Sequence, residues 1–284
     1  MSAPMDPIRD VAALRKMLAG LEAERLPGVE QFFSLGAAGP EEGGVRLARG
    51  AVHEVQALAS ADMPAAAGFA LALALRALRR DGAGEGRPLL WVRQDMADTE
   101  FGRLDAPGLA ALGLDPARLI LVRASDGAEA LRAAGDAVRC AGLGGLLIEI
   151  WGTPKALDLT ATRRLGLRAA SSGVTSFLLH RAAQVMPTAV ATRWQVAPAA
   201  SFPLEGDAPG APAFHATLLR HRGGEGGRPV EGGDWKLEWD HEACTFRDLD
   251  PLSRAVVPVP AGRPDRTAAP EARRGEIVAL RRAG

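Results

Sequence analysis

Apolar positions along this chain fall into short runs broken by Gly, Pro and Asp, and the runs switch between two periods. Leu14, Leu18 and Leu21 recur at helical spacing behind Asp6-Pro7, a cap with proline at the first helical position. Together they predict a helix over residues 6–24. Gly28 and the Gly-rich stretch 36–44 predict loop. Residues 51–58 (AVHEVQAL) alternate behind Gly50 and predict a strand. The small-residue segment 59–68 (ASADMPAAAG) reads as a loop, and 69–80 as an apolar helix stopped by Asp81-Gly82. Further strands are predicted at 88–93, 118–123, 145–151, 173–180 and 192–197. Between them lie a short helix around 109–112 and longer ones over 126–141 and 158–171.

Strands alternating with helices at this spacing imply an α/β fold: a mostly parallel sheet with helices on both faces. The pattern changes after Pro198. Residues 213–220, 234–239 and 243–246 read as antiparallel strands, the first two joined by a Gly-rich turn at 223–233, which adds a C-terminal β-hairpin. The expected organisation is an N-terminal arm (1–27), a core with its hairpin (28–248) and a flexible Pro/Arg-rich tail (249–284). That tail includes a terminal helix near 270–282.

Composition narrows the function classes. The 284 residues carry 34 basic and 34 acidic side chains, and 47% are hydrophobic. That balance excludes a long disordered chain and a protein that coats nucleic acid by bulk charge, while leaving room for a local basic face. Cys140 and Cys244 are far apart, so no disulfide framework is implied and a reducing cytoplasm is expected. No uninterrupted apolar run of membrane-spanning length is expected, and MSAPMDPIRD lacks the pattern of a secretion signal. Lysine is scarce: only Lys16, Lys155 and Lys236 occur.

Several segments carry a resemblance to a known family. GGVRLARGAVHEVQAL is similar to the lead-in to the phosphate loop of RecA-type recombinases. LGLDPARLILVRASDGAEAL and GLLIEIWG resemble later parts of the same core. The likeness covers roughly residues 30–245 and implies a RecA-like core. LARGAVHEV, TRWQVAPA and DWKLEWD resemble more closely the ImuA family, RecA-like accessory proteins of bacterial translesion synthesis. This resemblance implies a non-catalytic adaptor in the DNA-damage response. Its implied partners are an ImuB-like inactive Y-family polymerase homologue and an error-prone replicative-type polymerase, with RecA and DNA as further candidates. A SulA-like cell-division inhibitor and an unorthodox RecA-type ATPase are the alternatives.

The residues themselves bear on catalysis. A phosphate loop needs glycines to cradle the anion, a lysine for the β/γ-phosphates and a hydroxyl for Mg²⁺. Here the corresponding loop offers Ser60, Asp62 and Pro64, with Ala65, Ala66 and Ala67 where Gly-Lys-Thr would fall. Pro64 removes a backbone donor. No lysine lies nearby, so no bound nucleotide cofactor and no ATPase activity are expected. The resemblance implies that the catalytic acid would fall at Gln94-Asp95 and the metal-site acid near 149–151. Asp95 and Glu149 are therefore the remaining acids to consider, read as paired surface groups.

Other candidates are binding residues. Lys155, Arg163, Arg164, Arg168, Arg181 and Arg193 stand against Asp158 alone over 151–200, a strip that could follow a phosphate backbone. Leu14, Leu18 and Leu21 in the arm, and Ile277 and Leu280 in the tail, are candidate partner contacts. The five histidines show no ligand spacing, so no metal site is expected. Residues 31–35 (QFFSL) faintly resemble a sliding-clamp peptide but read better as a strand edge. Trp235 and Trp239 share one strand face and read as packing residues.

Overall fold

The computed structural model describes residues 32–36, 45–79, 86–152, 154–181, 186–222 and 232–249. The expected arm, most of the Gly-rich turn, and the tail with its terminal helix lie outside the described residues.

Each predicted strand forms. β1 (Phe32–Ser34) and β2 (Arg46–Ala48) pair as a separate two-stranded sheet. β3 (Val52–Ala57), β4 (Leu89–Gln94), β5 (Leu119–Ala124), β6 (Gly145–Ile150), β7 (Thr175–Arg181) and β8 (Thr192–Pro198) are mutually parallel. β9 (Ala213–His221), β10 (Asp234–Asp240) and β11 (Thr245–Asp248) extend the sheet antiparallel. The order across the nine strands is β11-β10-β9-β8-β3-β7-β6-β4-β5. Helical crossovers force parallel pairing, whereas short returns permit the antiparallel half.

Two apolar layers cover the sheet. On one face lies α1 (Met63–Leu78), buried at ten positions from Met63 to Ala77. Phe69 of α1 meets Trp194, Phe214 and Phe246 at ring-centroid distances of 5.7, 5.7 and 5.1 Å. The short helices α2 (Asp95–Phe101) and α3 (Ala106–Ala111) follow β4. The C-terminal strands also close on this layer, since Trp239 is fully buried and its indole N–H donates to Leu112 O at 2.9 Å. On the other face, α4 (Gly127–Ala137) and α5 (Leu159–Ser172) set Ala130, Ala134, Leu165 and Ala169 against Leu90, Val92, Ile148 and Leu178. Small alanines let α4 approach the sheet closely.

Three expectations change. α1 begins at Met63 and not at Phe69, because Pro64 sits in the first turn, where its missing N–H costs no hydrogen bond. β3 is buried at all six positions, so its apparent alternation marks buried polar groups and not a solvent face. Finally, Ser60–Leu78 does reach the length and composition of a membrane span, and 61% of its most apolar window is buried inside the fold. The apolarity follows from α1 being covered by the sheet.

Gly50 precedes β3 with φ +61°, and a Cβ there would meet Ala169 O and Gly173 Cα, both at 3.2 Å. Only glycine allows this turn to sit under the end of α5.

Candidate functional site

In a parallel α/β sheet, ligands bind beyond the carboxyl ends of the strands. At that edge the chain leaves β3 and passes through a single turn, Ser60–Asp62, into α1. Asp62 N donates to Ala59 O at 3.1 Å, and the Asp62 carboxylate accepts from Ala59 N at 3.3 Å. The Asp62 carboxylate thus bonds back to Ala59, makes no capping hydrogen bond to α1, and puts a negative charge at the helix start. An incoming phosphate would meet that charge instead of an open cradle. Ala66 is fully buried, while Ala65 and Ala67 pack partly buried against the core. The predicted loop residues thus come together, but as the cap and first turns of a helix.

Asp95 and Glu149 stand at the same sheet edge within an ion-pair network. Arg93 Nε donates to Glu149 Oε2 at 2.8 Å, and Arg93 also pairs with Asp98. Arg123 Nε donates to Asp95 Oδ1 at 2.7 Å and pairs with Asp98 as well. Gln94 Oε1 accepts from Trp151 N at 3.0 Å. Glu149 is 2% exposed, so it is an interior acid and not the surface group expected. Burial pushes its carboxyl up, while Arg93 pulls it down without fully offsetting burial. Beside this pair lies a cavity of about 260 Å³ lined mainly by Met63, Leu71, Trp91, Phe101 and Leu109. Both acids are engaged by arginines, which leaves them poorly placed to hold Mg²⁺ or activate water.

A second buried charge cluster escaped the sequence reading. Glu54 on β3 is fully buried. Its Oε1 accepts from His180 Nε2 at 2.7 Å and from Gln56 Nε2 at 2.8 Å. Its Oε2 accepts from Arg193 Nε at 2.8 Å and Thr188 Oγ1 at 2.6 Å. Burial would raise the Glu54 carboxyl, but the bonds from His180 and Thr188 and the Arg193 charge outweigh it and hold it at about 2. Arg193 also donates to Met186 O at 2.7 Å, so the cluster fastens segment 186–190 to the sheet. The available signal was an acid, a histidine and an arginine within three predicted strand segments.

His53, one residue earlier, faces the opposite layer, stacked on Phe177 at 5.5 Å. Its Nε2–H donates to Ala48 O at 2.8 Å, which leaves Nδ1 to accept from Thr192 Oγ1 at 2.8 Å. Desolvation pushes its pKa down to about 4, so the ring is neutral.

The basic strip divides. Lys155, Arg163 and Arg164 are exposed. Arg168 is half-buried and donates to Gly135 O at 2.9 Å, tying α5 to α4. Arg181 is half-buried at the end of β7. Arg193 belongs to the interior and leaves the strip, because its guanidinium is spent on Glu54. Leu14, Leu18, Leu21, Ile277 and Leu280 lie outside the described residues. Phe33 and Leu35 are buried, so that segment packs inward and is not a presented peptide. Trp235 meets Trp194 at 5.7 Å, consistent with packing. Among the described residues, no group of three His, Cys, Asp or Glu side chains is placed to hold a metal ion.

No protein-family profile matches the chain. Among curated proteins it is similar to Protein ImuA from two strains of Caulobacter vibrioides. Each is 37% identical over 194 residues, covering 63% of this chain and 73% of the relative. Among solved structures, the RadB recombinase crystal structure aligns with 74% of this chain and 94% of its own, at 16% identity and a TM-score of 0.46.

Proposed function

Because the chain belongs to the ImuA family, we propose that it is a non-catalytic RecA-like adaptor. In this reading it assembles or recruits an error-prone translesion DNA synthesis complex in the cytoplasm during the DNA-damage response. Its partners are an ImuB-like inactive Y-family polymerase homologue and an error-prone replicative-type polymerase. The observation that carries the reading is the start of α1. Asp62 holds a carboxylate at the helix start, Pro64 lacks an N–H, and Ala66 is fully buried where a phosphate-loop lysine would need to reach outward. The two acids nearest that edge support it, since Arg93 and Arg123 already engage them.

The test is co-purification of the full chain with both polymerase-type partners, with and without residues 249–284, alongside an ATP-turnover assay. The expected result is a stable complex and no turnover. Mg²⁺-dependent ATP hydrolysis abolished by Asp95→Ala or Glu149→Ala would overturn the non-catalytic reading. Recovery of a division protein alone would overturn the choice of partners.

A further inference from the structure

The outer surface of α5 is built like a docking face. The helix is amphipathic in the ordinary sense along one stripe, where Thr162, Leu165 and Ala169 are buried against the sheet. Successive residues turn by about 100°, so the position directly opposite that stripe is Leu167. Leu167 is 65% exposed, the most exposed large apolar side chain among the described residues. Arg163 and Arg164 lie one turn before it, one on each side, and both are exposed. α5 contains no Asp or Glu, and neither arginine has an ion-pair or hydrogen-bond partner among the described residues. The neighbouring α4 carries exposed Arg132 together with half-buried Glu129 and Asp136, and Arg132 lies within electrostatic reach of Glu129. The nearby carboxylates of Asp126 and Asp158 are taken up as N-caps, accepting from Glu129 N at 2.7 Å and Ala161 N at 2.6 Å.

We propose that this face seats an acidic amphipathic helix of a partner protein. The inference deepens the adaptor reading and rests on it, naming a surface and the chemistry of what it holds. An apolar centre with a charged rim is the anatomy of a protein interface. Leucine would receive the partner's apolar stripe, and the two guanidiniums would meet carboxylates on either flank. A nucleic-acid backbone would use the arginines but leave Leu167 facing water. Nor does α5 carry any aromatic residue for bases to stack on.

The test uses the full chain and three fluorescein-labelled probes followed by anisotropy. The first is a synthetic helix with one leucine stripe flanked by glutamates. The second is a scrambled peptide of the same composition, and the third a single-stranded oligonucleotide. The patterned helix is expected to bind best. Leu167→Ala should weaken it about tenfold. Arg163→Glu with Arg164→Glu should abolish binding and its salt dependence. Melting temperatures of the variants should be unchanged, because all three side chains are exposed. Failure of the patterned helix to bind, equal binding of the scrambled peptide, or indifference to Leu167→Ala would overturn the proposal. Oligonucleotide binding lost only in the arginine variant would reassign the strip to nucleic acid. None of these results decides whether the polymerase-type partners co-purify, so the adaptor reading is judged separately.

Discussion

Glu54 is an acid inside a nine-stranded sheet, and it is tolerable there only because four donors converge on it. Removing a partner from such a pair strands a buried charge. Glu54→Ala should therefore lower unfolding free energy by about 3–5 kcal/mol, read from urea midpoints. Glu54→Leu with Arg193→Met should recover part of that loss, since a well-packed apolar pair can replace a buried ionic one. His53 and Glu54 also set the acid limb of stability. The unfolded chain protonates its histidine near 6.5, whereas His53 resists until about 4. Between those values the unfolded state holds more protons, so stability falls as pH drops, by about 3 kcal/mol in all. Glu54 continues the decline from 4.5 to about 2 by the same sign. His53→Gln should flatten the upper part of this limb in urea titrations and leave the lower part. A decline of unchanged slope above pH 4.5 would remove His53 from the account. Neither residue was legible in advance. The alternation of AVHEVQAL reads as a half-exposed strand, and Glu54 finds His180 and Arg193 at sequence separations of 126 and 139. Local periodicity carries no information at that range.

α1 is the element where sequence reading came closest and still slipped. Its existence and polarity follow from apolar composition, and its stop lies near Leu78 as predicted. The start was displaced because an alanine-rich segment after a strand resembles a loop when a phosphate site is sought there. Proline in the first turn is the local feature that decides for helix. Restoring the absent lysine should therefore fail. Ala66→Lys would push an ammonium group into a fully buried site, and a thermal melt should show a loss of several kcal/mol with no gain of ATP binding. Binding of ATP by that variant would mean that the turn at residues 60–62 opens. The caps of α4 and α5 are simpler. Asp126 and Asp158, the first residues of the two predicted helices, both accept from a backbone N–H near the helix start.

At the scale of the whole molecule, the parallel half and the antiparallel C-terminal half were both legible, because alternating helices and strands leave few pairings open. The way the second half closes over α1 was not. That closure depends on contacts such as Trp239 with Leu112 O and Phe246 with Phe69, at sequence separations of 127 residues or more. Trp239→Ala should expose the end of this layer and cost about 3–5 kcal/mol, measured by chemical denaturation. A cost below 1 kcal/mol would mean that the C-terminal strands contribute little to holding the layer shut. The rings that meet α1 all belong to the strands it lies on: Trp194 on β8, Phe214 on β9 and Phe246 on β11. One phenylalanine, Phe69, therefore rivets the parallel and antiparallel halves of the sheet together, so that neither can loosen without disturbing the other.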